Sequence, residues 1–240
     1  MAKWSRIWGA ALCETDAPVA SLTEIIIRFV DLHASVRQGQ AADPNAVIQD
    51  ALLLETELEE WRATLPSAWK YKVVISSQPH GTYDGQYHIH SDYWIARMWD
   101  HYRWTHILVH ELILTHLVLL PLPPTEVCNQ KTQSLAIISH LASRICASVS
   151  SQLYRPNSTI RGPESNSQLT SVFMLLWPLK VAGSAIGVPE ALHEWVIDVL
   201  ENIGQTMGIR QTKVVIFTTI MQREYWKSSG AFASGDSIYT

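Results

Sequence analysis

The chain has 240 residues, 47% of them hydrophobic and 17% charged, with 11 glycines and 11 prolines. That length and composition suit one globular domain whose core needs neither disulfides nor a structural metal, and they exclude a disordered, collagen-like or repeat protein. Eighteen Lys plus Arg stand against 22 Asp plus Glu for a net charge of −4, and the basic residues are scattered singly, which argues against direct nucleic-acid binding.

Residues 1–20 read as an N-terminal extension, in which Lys3 and Arg6 precede an apolar patch too short for a signal peptide. Ser21 followed by Glu24 has the form of a capping box, opening a helix whose Leu22, Ile25, Ile26, Phe29 and Val30 recur at helical steps until Gly39. Asp43-Pro44 starts a second helix, carried by Val47, Leu54, Leu58 and Trp61 to Leu65-Pro66, and the two are expected as an antiparallel pair. From Pro66 to about Ile89 a long loop is predicted; its YKVVIS stretch has no evident strand partner, and Asp84-Gly85 marks a turn. Ser91-Asp92 caps an unbroken helical pattern to Leu120, a rod of roughly 45 Å that predicts the central helix. The run from Ile107 to Leu120 contains two histidines and a glutamate and falls short of the roughly 20 apolar residues of a bilayer crossing.

A fourth helix is expected from about Thr125 to Ser151, with Leu135, Ile138, Leu141, Ile145 and Val149 as its buried stripe, followed by a polar surface loop. Gln168 to Ile186 is almost wholly apolar, predicting a helix buried on all sides and kinked at Trp177-Pro178. Val188-Pro189 starts another helix, with Leu192, Trp195, Val196, Val199, Leu200 and Ile203 on one face, and a last helix covers Arg210 to Lys227. Residues 228–240 form a small, polar tail. The expected fold is all-α, about seven helices around a long central helix, with residues 21–227 as a single domain.

Few chemical motifs emerge. Cys13, Cys128 and Cys146 form no C-x-x-C pair, which points to a reducing compartment, nucleus or cytoplasm rather than secretion. No nucleophile elbow or phosphate-binding loop is present. His106 and His110 share one helical face at the four-residue spacing of metal-ligand pairs, with His90 as a conceivable third ligand. Two ligands do not make a site, so neither a metal nor another cofactor is expected. The acidic run Glu55, Glu57, Glu59 and Glu60 reads as the solvated side of its helix. Ten tryptophans against four phenylalanines is an unusual ratio, and an aromatic stripe at helical spacing serves either as core or as one wall of a small-molecule pocket. The candidate ligand-binding set is Trp94, Met98, Trp99, Tyr102, His106, Met174 and Trp177.

Four blocks carry a family resemblance: LEEWRATLPSAWKY (58–71), YHIHSDYWIARMWDHYRWTHILVHELIL (87–114), SRICASVSSQL (143–153) and LLWPLKVAGSAIGVPEALHEWVIDVLENIGQTMGIRQ (175–211). In their order and spacing they resemble the C-terminal regulatory region of fungal zinc-cluster transcription factors, with its W-x-x-x-L-P-x-x-W, A-R-x-W-x-x-Y-R, I-C-A-S-V and W-P-L-x-x-A-G stretches. Ser150 stands where many members have proline. The resemblance implies an all-helical domain that regulates transcription, in some members by binding a hydrophobic ligand such as a sterol and by dimerising. The six-cysteine DNA-binding module of the family is absent from the sequence. The expected role is therefore regulation of a fungal secondary-metabolic pathway without direct DNA contact, through a full-length factor, a homodimer or a hydrophobic small molecule. The alternative expectation is a repurposed biosynthetic protein, a cofactor-independent cyclase or isomerase using His106, His110 and Tyr102 for acid–base work.

Overall fold

A computed structural model of the chain describes residues 17–41, 43–75, 81–121, 123–153 and 165–229. Seven α-helices among them form an all-α fold: α1 (Ala17–Arg37), α2 (Pro44–Thr64), α3 (Tyr93–Leu117), α4 (Pro124–Leu153), α5 (Ser165–Ser184), α6 (Glu190–Met207) and α7 (Gln211–Ser228). Most of the expected polar tail and of the N-terminal extension lie outside the described residues, as do residues 154–164 of the expected surface loop.

Helix starts follow the local chemistry. Asp43 accepts a hydrogen bond from the Asn45 N–H at the head of α2, with proline in the first turn, and Asp92 accepts one from the Ile95 N–H at the head of α3. The first helix departs from expectation: it is already helical at Ala17, the first described residue, so Ser21 and Glu24 lie inside it and form no capping box. The Pro18 carbonyl accepts the Trp61 Nε1–H at 2.7 Å. That bond joins the start of α1 to the end of α2, so the pair is antiparallel as expected.

The predicted loop contains a hairpin. β1 (Lys72–Ile75) pairs antiparallel with β2 (Gln86–Ile89) in the register Lys72↔Ile89 to Ile75↔Gln86. Asp84-Gly85, both at positive φ (52° and 64°), form a tight two-residue turn that brings Tyr83 opposite Gln86 at the head of β2. The partner of YKVVIS was hidden in the sequence because Gln86–Ile89 is short and shows no apolar alternation. Its His88 is buried instead as a polar group.

α3 is the central helix, with α1, α2, α4 and α5 packed around it. The stripe expected on α4 is buried at Ile138, Leu141, Ile145 and Val149, with Leu135 partly so. α5 is not buried all round: Val172, Leu175, Leu179 and Ala182 face the core, whereas Phe173 and Trp177 are about half exposed (48% and 49%). The helix runs through Pro178 without a break, losing one donor while its packed face holds it in place. α5 and α6 approach so closely at Gly183 that a Cβ there would lie 2.8 Å from Val196 Cγ1, and the Gly183 carbonyl receives His193 Nδ1 at 2.8 Å.

The deepest polar feature lies where α3 meets α4 and β2. Arg103, 1% exposed, donates to Asp100 Oδ1 at 2.9 Å. Asp100 also accepts from Ser148 Oγ at 3.0 Å and, on Oδ2, from Gln152 Nε2 at 2.8 Å. Arg103 Nη2 reaches within 3.3 Å of His88 Nδ1, and the guanidinium lies over the Tyr71 and Trp99 rings. Removing one member of such a pair leaves the other charge buried and unpaired. Asp100→Ala should therefore lose about 3–5 kcal/mol in urea unfolding, while Asp100→Leu combined with Arg103→Met recovers much of it. A single substitution costing under about 1 kcal/mol would show that the pair does not anchor the core.

Candidate functional site

The two larger of the cavities described along α3 lie on opposite faces of it. The first, of about 630 Å³, lies between α2, α3 and α4 and is lined by Glu55, Glu59, Arg62, Tyr71, Trp99, Tyr102, Arg103, His106, His140 and Arg144, with a few aliphatic neighbours. The second, of about 770 Å³, lies between α1, α3, α5 and α7; Phe29, Trp104, Leu108, Leu112, Trp177, Val181, Tyr225 and Trp226 form most of its wall, with Glu111 and Lys180 among its polar groups. The helical repeat explains the division: positions 99, 102, 103 and 106 fall on one side of α3, and 104, 108, 111, 112 and 115 on another.

In the first cavity Tyr102 donates its hydroxyl proton to Glu59 Oε1 at 2.5 Å, and Arg62 grips Glu59 Oε2 through Nε and Nη2 at 3.0 and 2.6 Å. Burial opposes ionisation of Glu59, but these hydrogen bonds outweigh it and hold the carboxyl below its usual range. Burial, reinforced by Glu59, pushes the Tyr102 phenol well above its ordinary value. Burial and the neighbouring His110 push His106 down to about 4, leaving it neutral at pH 7. His106 Nε2 lies 3.2 Å from His110 Nε2, the rings stacked with centroids 5.0 Å apart. His110 Nε2 also approaches Glu55 Oε1 at 3.4 Å, and its Nδ1 meets Ser134 Oγ at 3.2 Å.

In the second cavity burial pushes the Glu111 carboxyl up to about 7, although the Ile186 N–H donating to Oε1 at 3.0 Å and nearby Lys180 act the other way. Burial lowers the Lys180 amine, opposed by Glu111, and its Nζ lies 5.2 Å above the Trp177 ring. Trp104 meets Trp177 edge to face at 6.2 Å.

The seven residues expected to bind a ligand do not share one pocket. Trp99, Tyr102 and His106 line the first cavity and Trp177 the second. Trp94 is half exposed beside Arg97, Met98 is packed in the core and Met174 lines neither cavity. Trp99, Tyr102 and His106 keep one face of α3, Met98 is turned about 100° from its neighbour Trp99, and Trp177 reaches the other cavity because it comes from α5, packed on the opposite side of α3.

Part of the acidic run also departs from expectation. Glu57 pairs with Arg28, whereas Glu55 and Glu59 line the first cavity and reach His110 and Tyr102 on α3, Glu59 with 42% of its side chain still exposed. Their four-residue spacing on α2 matches that of His106 and His110 on α3, a signal that becomes readable only once the helices are seen to face each other. His90 does not join the histidine pair; it sits beside Tyr71, ring centroids 5.0 Å apart. Glu111 stands out in the sequence only as the glutamate beside His110, and nothing there marks Lys180.

No family model, no curated protein and no solved structure matches the chain. Among the described residues no helix is long and apolar enough to cross a membrane.

The Glu111 shift has a defined consequence for stability. A carboxyl whose folded pKa is raised binds its proton more tightly in the folded state, so stability falls as pH rises from about 4.5 to about 7 and levels off above. Glu111→Gln retains an oxygen for the Ile186 N–H and removes the charge. Denaturant unfolding across this range should give a shallower pH slope for the variant and greater stability than wild type at pH 8. Parallel pH profiles for the two proteins would show that Glu111 titrates normally.

Proposed function

We propose that the chain is a transcription-regulating module, of the kind found in fungal zinc-cluster factors, whose state is set by a hydrophobic small molecule held in the cavity between α1, α3, α5 and α7. The observation that carries this reading is the cavity itself: about 770 Å³, with aromatic and aliphatic side chains forming its body and His33, Arg37, Glu111, Lys180 and Gln222 supplying charged and polar groups. Small-molecule sites have this character, an apolar body with few polar groups that orient the guest. Trp104, Leu108, Leu112 and Val181 contact an apolar skeleton, while Lys180 and Glu111 meet an oxygen-bearing end. Because α1 and α7 form two of the walls, a bound molecule changes how the first and last helices described here are held.

The family resemblance supplies the regulatory half of this reading, and control of a fungal secondary-metabolic pathway is the process it suggests. Fold and cavity alone are compatible with many roles. The biosynthetic alternative rests on His106, His110 and Tyr102. An acid–base catalyst works best with a pKa near the working pH. His106 is instead held near 4 and Tyr102 above its ordinary value, which favours binding over turnover.

Native mass spectrometry of the purified chain after exposure to a hydrophobic fungal extract should show one retained small molecule, released with unchanged mass. Trp177→Ala and Lys180→Met should each weaken retention at least tenfold while leaving the helical circular dichroism intact. Fused to an unrelated DNA-binding domain, the wild-type chain should alter reporter transcription when the retained compound is supplied. A folded protein that retains nothing, and a reporter that ignores the extract, would overturn the proposal; a released compound of altered mass would move the assignment to the biosynthetic alternative.

A further inference from the structure

We infer that Glu55, His106 and His110 form a binding site for a divalent transition-metal ion, zinc in the first instance, at the end of the cavity between α2, α3 and α4. The sequence placed two imidazoles on one face of α3, which is one ligand too few; the fold brings the third donor from α2. The three groups offer lone-pair atoms within 4.8 Å of one another.

The spacing of those atoms is the main argument. Four ligands around zinc at roughly 2.0–2.1 Å stand about 3.3 Å from one another along the edges of a tetrahedron. His106 Nε2 and His110 Nε2 are 3.2 Å apart, and His110 Nε2 and Glu55 Oε1 are 3.4 Å apart. Two histidines and one carboxylate are a recurrent donor set for zinc, with the fourth position left to water or a ligand. Glu55 and His106 also line the 630 Å³ cavity, so that fourth position opens toward a space a small molecule can enter.

The surroundings match what an imidazole ligand requires. A metal-bound histidine presents one ring nitrogen to the ion and donates the other N–H, which fixes its orientation. His110 does so through Nδ1 to Ser134 Oγ at 3.2 Å, and Ser134 is itself fully buried and approached by Gln130 Nε2 at 3.4 Å. On His106, Nδ1 points toward Glu59 Oε1 at 3.8 Å and has no hydrogen-bond partner, so a small ring rotation on metal binding would bring it within donating distance. Both imidazoles are buried while Glu55 is partly open, which gives an ion a route in from the cavity side. The ligand class implied at the fourth position is an oxygen donor, water or the carboxylate or hydroxyl of a small molecule.

The site lies on the opposite side of α3 from the regulatory cavity, and its test is independent of that proposal. The full chain, stripped with a chelator and dialysed, is titrated with Zn²⁺ by calorimetry and with Co²⁺ by visible absorption. Expected are one equivalent of zinc, a rise in melting temperature with zinc, and cobalt d–d bands of the intensity of a four-coordinate ion. Glu55→Gln and His106→Gln, which keep side-chain volume and are checked for intact circular dichroism, should each weaken binding at least tenfold. Ser134→Ala, which removes only the orienting contact, should weaken it by about 10-fold. Absence of a stoichiometric zinc isotherm in the folded wild-type protein would overturn the site. So would zinc binding that Glu55→Gln and His106→Gln leave unchanged, since the ion would then sit elsewhere, for instance on exposed Cys128.

Discussion

The buried pair of Asp100 and Arg103 is the constraint on which the rest of the structure depends. Two charges removed from water persist only if every remaining donor and acceptor is met. The groups that meet them are Ser148 and Gln152 on α4, His88 on β2, and the aromatic faces of Tyr71, just before β1, and of Trp99 on α3 itself. The pair therefore fixes the rotation of α3 against α4 and seats the hairpin. Apolar packing gives most of the stability of such a core, but apolar contacts tolerate sliding; a buried ion pair with three directional partners admits one register.

Once α3 is fixed in rotation, its two faces acquire different chemistry. One carries Trp99, Tyr102, His106 and His110 beneath the carboxylates of α2, and the other carries Trp104, Leu108 and Glu111 against α1, α5 and α7. The first face is rich in hydrogen-bonding and lone-pair groups held in fixed positions. The second sets aromatic and aliphatic side chains around a smaller group of charged and polar ones, Arg37, Glu111 and Lys180 among them. A single helix serves both because its side chains radiate in all directions, and its two ends remain anchored by a cap at Asp92 and the turn after Leu117.

Most of the fold was legible in the sequence because it rests on local signals. Helical spacing of apolar residues, the Asp43-Pro44 and Ser91-Asp92 starts and the proline-rich end after Leu120 located the helices and the central position of α3. What escaped notice depended on partners far away in sequence. The strand Gln86–Ile89 has no pattern of its own and exists because Lys72–Ile75 pairs with it. Glu55 and Glu59 look like solvent-facing positions until α3 is laid across them. Glu111 reads as one more helical glutamate, and only the packing of α5 against α3 explains why its charge is disfavoured. Of the candidate site, the aromatic and histidine side of α3 was visible, whereas its division into two cavities was not, because that division is a property of which helices pack on which face.

The blocks that carry the family resemblance are informative about architecture in a specific way. Trp61 and Trp69 of the first block and Trp99 and Tyr102 of the second form one aromatic cluster, in which Trp99 Nε1 donates to the Trp69 carbonyl at 2.8 Å. Arg103 of the second block and Ser148 of the third share Asp100. Gly183 of the fourth allows α5 and α6 to meet. These residues hold elements together, so proteins that have them in common have reason to share a fold without sharing a ligand. The side chains that line the cavities are a largely different set: Trp104, Glu111 and Lys180 on one side of α3, and Glu55 and His106 on the other. The second and the fourth of those blocks contribute to both sets, through His106 and Lys180 among others, so the same stretches of sequence hold residues that build the domain and residues that line its cavities.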